Sequence, residues 1–434
     1  MNSAQGLAVL VFIVVFILIA VEVIHRTYAS LLGALIFLFL GAVSPDQVLQ
    51  FIDIEILAVV MGLFLMVRGA ERSGIFQYFA VKIMKNSGSA TAFAVILLTF
   101  TIILAVFVSN IGAMLVMASI TITMARSLKI KPQTLLVYQS VVINIGGMIL
   151  WTGSIPNIII GIEAGFSFMD FIYHVMPLGI ILYLSTLLVF IRIFRKEFTP
   201  KPEADFRDLE FDEWIERAIE VSGLEVASFN RGSLAAAAVM VLTIAGFVVY
   251  ESLHLTPALV ALTGGFLMMM IQTQEPQGVL REIDWSTLLF LGGLFVMING
   301  LSEIGVISSL SHWLSGLMGG QPLEASIRLM WLSGVASSVV DNIPLSSSLA
   351  PIIKEIVVDP SWRNLWWGLV IGTNLGGNMT PIGSPSNIIA IGVSEQEGYP
   401  LNFNMFLKTG LRLTLMNFII SMAYIYIRYG VLAG

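Results

Sequence analysis

The stretch NIGGMILWTGSIPN, residues 144–157, decides how this chain is read, because it returns as NLGGNMTPIGSPSN at 374–387. The offset is the same at both ends (374 − 144 = 230 and 387 − 157 = 230). Each copy opens on Asn-x-Gly-Gly, with Asn144 and Gly146 in one and Asn374 and Gly376 in the other. Each closes on Gly-Ser-x-x-Asn, from Ser154 to Asn157 and from Ser384 to Asn387. Glycine permits close backbone approach, and proline removes a donor and ends helical regularity. Both copies therefore predict a helix interrupted midway. Upstream of each stands a second polar pair, Ser109-Asn110 and Asp341-Asn342, followed within two residues by Gly112 or Pro344. These predict helices that stop and restart.

The surroundings of these breaks are oily. Mean hydropathy is +0.90, 57% of residues are hydrophobic and only 12% are charged, against about 25% in soluble proteins. Stretches such as 7–21, 93–108, 172–191, 234–250 and 415–426 carry no Asp, Glu, Lys or Arg. Several reach or approach the roughly 17–25 residues of a spanning helix. The expected fold is an all-α polytopic membrane protein of two repeats, inverted as is common in transporters. We count about ten to twelve transmembrane helices, with a re-entrant hairpin in each half. The run 7–21 lacks a basic leading region and a cleavage site, and reads as the first span.

Composition excludes much chemistry. Without cysteine there is no disulfide, iron–sulfur centre or thiolate metal site, and four scattered histidines never take ligand spacing. Neither a phosphate-binding loop nor a dinucleotide fingerprint nor a nucleophile elbow is found. The expectation is a protein that is not an enzyme, with no cofactor, no metal site and no nucleic-acid partner. Its partners would be the lipid bilayer, a small inorganic solute or ion, and protons or sodium.

The soluble-looking stretch is Lys196–Arg231, with ten acidic and five basic residues. It predicts an acidic linker at 196–231 between a first transmembrane repeat, 1–195, and a second, 232–434. Phe211, Trp214, Ile215, Ala218 and Ile219 allow a short amphipathic helix there, and a solvated linker fits equally. Basic residues at its ends, with Arg126, Lys129 and Lys131 in another loop, place both loops in the cytoplasm. The repeat continues outside the breaks, since Gly62-Leu-Phe-Leu-Met-Val-Arg-Gly69 resembles Gly293-Leu-Phe-Val-Met-Ile-Asn-Gly300.

Asp341 is the strongest single signal. It lies in the apolar stretch 331–350, thirteen positions from the nearest cations in sequence, Arg328 and Lys354. A carboxylate at membrane depth is costly when ionised and is by default functional, so Asp341 is the expected proton carrier. A structural alternative is an Asp that caps a restarted helix, and both roles can coexist. Asn110 and Asn342 fit either helix–helix hydrogen bonds of about 0.6 kcal/mol each or a site where helix N-termini and amides face a central ligand. The matched repetition favours the site. Its expected members are Ser109, Asn110, Asn144, Gly146, Ser154, Asn157, Asp341, Asn342, Asn374, Gly376, Ser384 and Asn387.

These blocks, with Val-Ser-Asn-Ile at 108–111 and Val-Asp-Asn-Ile-Pro at 340–344, resemble the ion transporter superfamily. The specific resemblance is to its ArsB/NhaD branch, with a citrate-transporter-like membrane domain, over essentially the whole chain. It implies a dimerising scaffold and a transport domain that moves as an elevator, carrying two re-entrant hairpins tipped by Ser109-Asn110 and Asp341-Asn342. The two broken helices would be those at 144–157 and 374–387. Relatives of that branch carry acids where this chain has Ser109 and Ser154, which leaves Asp341 as the carboxylate of the inferred centre. One titratable group suits exchange of one proton for a neutral solute such as arsenite or antimonite. Sodium/proton antiport and sodium-coupled carboxylate transport are the alternatives. The expected location is the cell (inner) membrane.

Overall fold

The computed structural model describes residues 3–21, 24–76, 78–79, 90–127, 131–197, 231–272, 276–281 and 283–431. The acidic linker expected at 196–231, with its amphipathic segment, lies almost wholly outside them. The first part of the chain contains α1 (Ser3–Ala20), α2 (Arg26–Phe39), α3 (Pro45–Phe51), α4 (Ile54–Arg72), α5 (Ala90–Phe107) and α6 (Asn110–Ser127). Then come α7 (Gln133–Ile149), α8 (Ile155–Ala164), α9 (Phe168–His174) and α10 (Met176–Glu197). After the linker follow α11 (Arg231–Val249), α12 (Pro257–Gln272), α13 (Pro276–Leu280), α14 (Trp285–Glu303) and α15 (Val306–Met318). The chain continues through α16 (Pro322–Ser337), α17 (Asn342–Ile356), α18 (Asn364–Gly376), α19 (Pro385–Gln396) and α20 (Phe403–Tyr426). There is no strand among the described residues.

Local chemistry sets where these helices begin. Asp53 accepts the Ile56 N–H at 2.9 Å to cap α4, and Asp284, 231 positions on, accepts the Thr287 N–H at 3.0 Å to cap α14. Each supplies an acceptor to one of the orphan amides of a first turn. Gly74 and Gly305, also 231 apart, hold φ of 69° and 76° just past α4 and α14, a conformation that glycine adopts freely.

Among the described residues four helices, α10, α11, α14 and α20 with its π-helical extension, are long and apolar enough to cross a membrane. Two bent pairs, α3 with α4 (52°) and α8 with α9 (106°), raise the number to six if each is one span. Much of the rest is shorter apolar helix of 10–17 residues. At 1.5 Å per residue, helices such as α2, α7 and α12, of 14, 17 and 16 residues, fall short of a hydrocarbon core of about 30 Å. Large apolar side chains such as Leu188, Leu242 and Met270 face outward, as lipid contact requires.

Packing exchanges elements between the two parts of the chain. The helix α2 lies along α14, and α4 lies along α12. Matching glycines allow these crossings: a Cβ on Gly62 would lie 2.3 Å from the Ala261 carbonyl carbon, and one on Gly293 would lie 2.8 Å from that of Ser30. Around them α1–α4, α11, α12 and α14 form one group of helices. In a second group α5 packs on α7 and α16 on α18, while α6 lies against α19 and α8 against α17. Along α18, Gly368, Gly372 and Gly376 recur every four residues and meet Ser326, Ser333 and Gly334 of α16. This is small-residue packing, which drives helix association in lipid where water does not.

Candidate substrate and coupling-ion site

Between the two groups of helices lies a cavity of about 180 Å³. One wall is polar and carries Ser109, Asn110, Thr152, Ser154, Asp341, Asn342 and Ser384. The facing wall is largely apolar, with Val60, Leu63 and Phe64 of α4 and Met240, Ile244 and Phe247 of α11. Arg26, Arg68, Asp284 and Thr287 complete the lining.

The polar wall is made by the interruptions. Ser109-Asn110 connects α5 to α6, and Asp341-Asn342 connects α16 to α17. Ser154 and Ser384 stand at the N-caps of α8 and α19, on the far side of each break. Four helix N-termini thus converge on one space, each contributing backbone N–H groups and a positive dipole end.

The asparagines expected in the site divide into two kinds. Asn157 is wholly buried, and its Nδ2 donates to the Gly147, Met148 and Leu150 carbonyls at 3.1, 3.1 and 2.8 Å. Asn387 repeats this, donating to Gly377 O at 2.8 Å and Thr380 O at 2.7 Å. These amides hold the broken backbone closed, satisfying carbonyls that no water reaches. Asn144 and Asn374 join the two copies: Ser384 donates to Asn144 Oδ1 at 3.0 Å, and Ser154 donates to Asn374 Oδ1 at 3.0 Å. Asn374 also donates to Asn157 Oδ1 at 2.8 Å, and Ser140 donates to Asn387 Oδ1. Neither Gly146 nor Gly376 reaches the cavity; each lies at a helix crossing, beside Ala105 and Gly334 respectively.

The hairpin asparagines differ. Asn110 donates to Asn144 Oδ1 at 2.9 Å, but its own Oδ1 is buried without a donor. A Cβ on Gly147 would lie 2.7 Å from that oxygen. Asn342 Oδ1 takes the equivalent place, 3.3 Å from a Cβ on Gly377, and accepts from Ser337.

Asp341 caps α17, its Oδ1 taking the Ile343 N–H at 3.3 Å. Its Oδ2 accepts from Arg26 Nη1 at 2.9 Å, and each side chain is 25% exposed. The nearest cations in sequence, Arg328 and Lys354, pair elsewhere, with Glu324 at 2.9 Å and Glu163 at 2.8 Å. Arg26 comes from the first turn of α2, 315 positions away. Its Nη2 donates to Thr287 Oγ1 at 2.9 Å, and Thr287 in turn donates to Asp284 Oδ2 at 2.6 Å. The Phe290 ring lies 5.4 Å below the guanidinium carbon.

The family model described as citrate transporter, CitMHS, matches residues 16–372. The chain belongs to the CitMHS citrate transporter family. An uncharacterised transporter of Mycobacterium bovis is 29% identical, with 98% of this chain and 99% of that one covered. A 46 kDa membrane protein of Mycobacterium leprae is 30% identical over the same shares. The P protein of Mus musculus is 27% identical over 96% of this chain, which spans 59% of that longer protein. Among solved structures, the YdaH transporter of Alcanivorax borkumensis superposes with a TM-score of 0.59 at 14% identity, covering 94% of this chain and 99% of that one. That likeness concerns the fold. As a CitMHS family member, this is a multi-pass membrane transporter.

Proposed function

We propose that the chain is a secondary active transporter that exchanges a small solute for a proton, with Asp341 as the proton carrier. The observation that carries the reading is the placement of Asp341 at a restarted helix on the cavity wall, with one oxygen shared with an arginine. Around it the polar wall consists of hydroxyls and amides, and the Arg26–Asp341 pair is electrically neutral. Such a lining suits a neutral polyhydroxy solute, which can donate to and accept from every member of it. Trihydroxyarsenic, arsenite or its antimony analogue, is the favoured cargo, leaving by antiport. The solute would engage Ser109, Asn110, Ser154, Asn342 and Ser384, and Asp341 in alternation with the proton, while Asn144, Asn157, Asn374 and Asn387 hold the breaks that present them. The two repeats, 1–195 and 232–434, would be inverted about the cavity, and the group carrying the hairpins would slide as an elevator against the other. A cell (inner) membrane location and a homodimer complete the proposal.

Two observations favour alternatives. The buried, donorless Asn110 Oδ1 is the kind of hard oxygen a sodium ion prefers, which supports sodium/proton antiport. Arg26 in the cavity, with the family's citrate description, supports a carboxylate anion as cargo.

Vesicles enclosing a pH-sensitive dye test the three. A proton gradient is imposed, and arsenite, sodium or citrate is added in turn. Recovery with arsenite alone supports the proposal; recovery with sodium alone replaces it with cation antiport, and with citrate alone with carboxylate transport. Asp341→Asn should abolish the pH-driven response while the protein stays folded, and a coupled response in that variant refutes the role of Asp341.

A further inference from the structure

The Arg26–Asp341 pair joins the two groups of helices across the cavity. Arg26 belongs to α2, which packs on α1 and α14; Asp341 opens α17, which packs chiefly on α8, α15 and α18 and also touches α14 and α16. Of the other ion pairs described, Arg68–Glu71 and Glu324–Arg328 close within a helix, Glu163–Lys354 closes within the hairpin group, and Arg363–Asp170, at 3.9 Å, joins α9 to the turn before α18. Arg26 is itself fixed on its own side by the Thr287 hydroxyl, which Asp284 holds in turn, and by the Phe290 ring. A guanidinium held by a hydroxyl and a ring of one group and paired with a carboxylate of the other is a tether whose strength depends on the charge of that carboxylate.

We propose that Arg26 is a coupling-determining residue: a tethered cation that competes with the coupling proton for Asp341 Oδ2. The inference rests on the reading of Asp341 as the coupling carboxylate. In the unprotonated, empty protein the ion pair pins the hairpin group to the α2–α14 face and forbids its movement. Protonation converts the carboxylate to a neutral acid while Arg26 keeps its charge, so the pair is reduced to a neutral contact and movement is allowed. A solute bonded to Asp341 releases the tether in the same way by taking the place of Arg26. Only proton-loaded or solute-loaded forms then cross, and a carrier obeying that rule exchanges without leaking.

Other charged groups leave this competition alone. Asp284 and Arg68 also face the cavity; Asp284 is occupied by the N–H and hydroxyl of Thr287, and Arg68 by Glu71. His25, next to Arg26, accepts the Thr27 N–H. Glu355 on α17 accepts from Ser308 and Ser311 of α15, and Glu303 lies at the opposite end of α14 from Asp284. On α15, His312 is exposed.

The leak measurement needs no identified solute, and the coupled exchange of Asp341→Asn is read with arsenite, sodium or citrate as above. Full-length protein in dye-loaded vesicles is given a proton gradient alone, and the solute-free proton flux is read. Wild type should be tight. Arg26→Gln should leak at least tenfold faster, because the empty ionised carrier can now return. Arg26→Lys should restore much of the tightness, and Thr287→Val, which removes the hydroxyl that links Arg26 to Asp284 and leaves the Asp341 pair in place, should leak to an intermediate degree. The double variant Arg26→Gln/Asp341→Asn should be tight again, since the leak runs through Asp341. Wild-type tightness in both Arg26→Gln and Thr287→Val overturns the inference, as does a leak that survives in the double variant. A failure of Arg26→Gln to fold leaves Thr287→Val to decide. If Asp341→Asn keeps coupled exchange, the Asp341 reading itself fails. If Asp341→Asn loses exchange while the Arg26 and Thr287 variants stay tight, only the tether is wrong.

Discussion

Replacing Asn157 by alanine should cost more stability than its single small side chain implies. The amide nitrogen faces three main-chain carbonyls, at 3.1, 3.1 and 2.8 Å, and the amide oxygen takes the Asn374 Nδ2 at 2.8 Å. An NH2 group has two hydrogens, so two full donor bonds and one acceptor bond are lost. Side-chain hydrogen bonds in membrane proteins average about 0.6 kcal/mol and reach about 1.7. Three of them give a range from about 2 to about 5 kcal/mol, and because the carbonyls are buried where no water replaces the amide, the upper half is expected. Reversible unfolding in mixed micelles, followed by tryptophan fluorescence, measures this. Ser185→Ala is the control, since its hydroxyl bonds only the Leu182 carbonyl of its own helix, at 2.8 Å. A second arm combines Asn157→Ala with Asn374→Ala, and the cycle should return a coupling of about 1 kcal/mol. A loss under about 0.5 kcal/mol, no larger than a surface substitution, with no coupling to Asn374, would refute the claim that Asn157 holds the break.

Other outcomes follow from the same geometry. Gly372→Leu puts a side chain where a Cβ alone already lies 2.0 Å from Ser333 Oγ and 2.4 Å from the Met330 carbonyl; α16 and α18 must part, and the folded yield in detergent should fall sharply. Lys354→Ala removes an ion pair whose lysine is 63% exposed, so unfolding and transport should both stay within error, at about 0–1 kcal/mol. Ser384→Ala should slow solute exchange while changing stability by no more than about 1 kcal/mol, because Asn144 keeps its bond from Asn110. Asp341→Asn should remove pH-driven exchange in the vesicle assay with little loss of folded protein.

What sequence reading reaches here depends on how each contact is encoded. Breaks are written in residue type: glycine, proline and asparagine recur at a fixed offset, and Ser154, Ser384, Asn110 and Asn342 do meet at one cavity. The all-helical membrane fold is legible for the same reason, from uncharged runs. The division among the asparagines is not, since Asn157 and Asn387 look like Asn110 and Asn342 until their amides are seen turned back on the main chain. Arg26 escapes the sequence because it stands 315 positions from Asp341, so Asp341 reads as a carboxylate with no cation nearer than thirteen positions. One signal could have found it, a lone arginine directly before an apolar helix. The Gly368, Gly372 and Gly376 spacing on α18 was likewise visible and passed over beside the more conspicuous repeat.

The exchange of helices between the two parts of the chain bears on biosynthesis. Since α2 finds its closest neighbour in α14 and α4 in α12, a ribosome that has completed the first two hundred residues has delivered surfaces whose partners do not yet exist. Those helices wait in the bilayer with their glycine faces against lipid, and assembly completes only when the second set is inserted. The covalent joint between the parts is then incidental to the finished architecture. Two separately translated halves, cut within the linker and produced together, should find each other and rebuild the cavity, while either half alone should be cleared by membrane proteases.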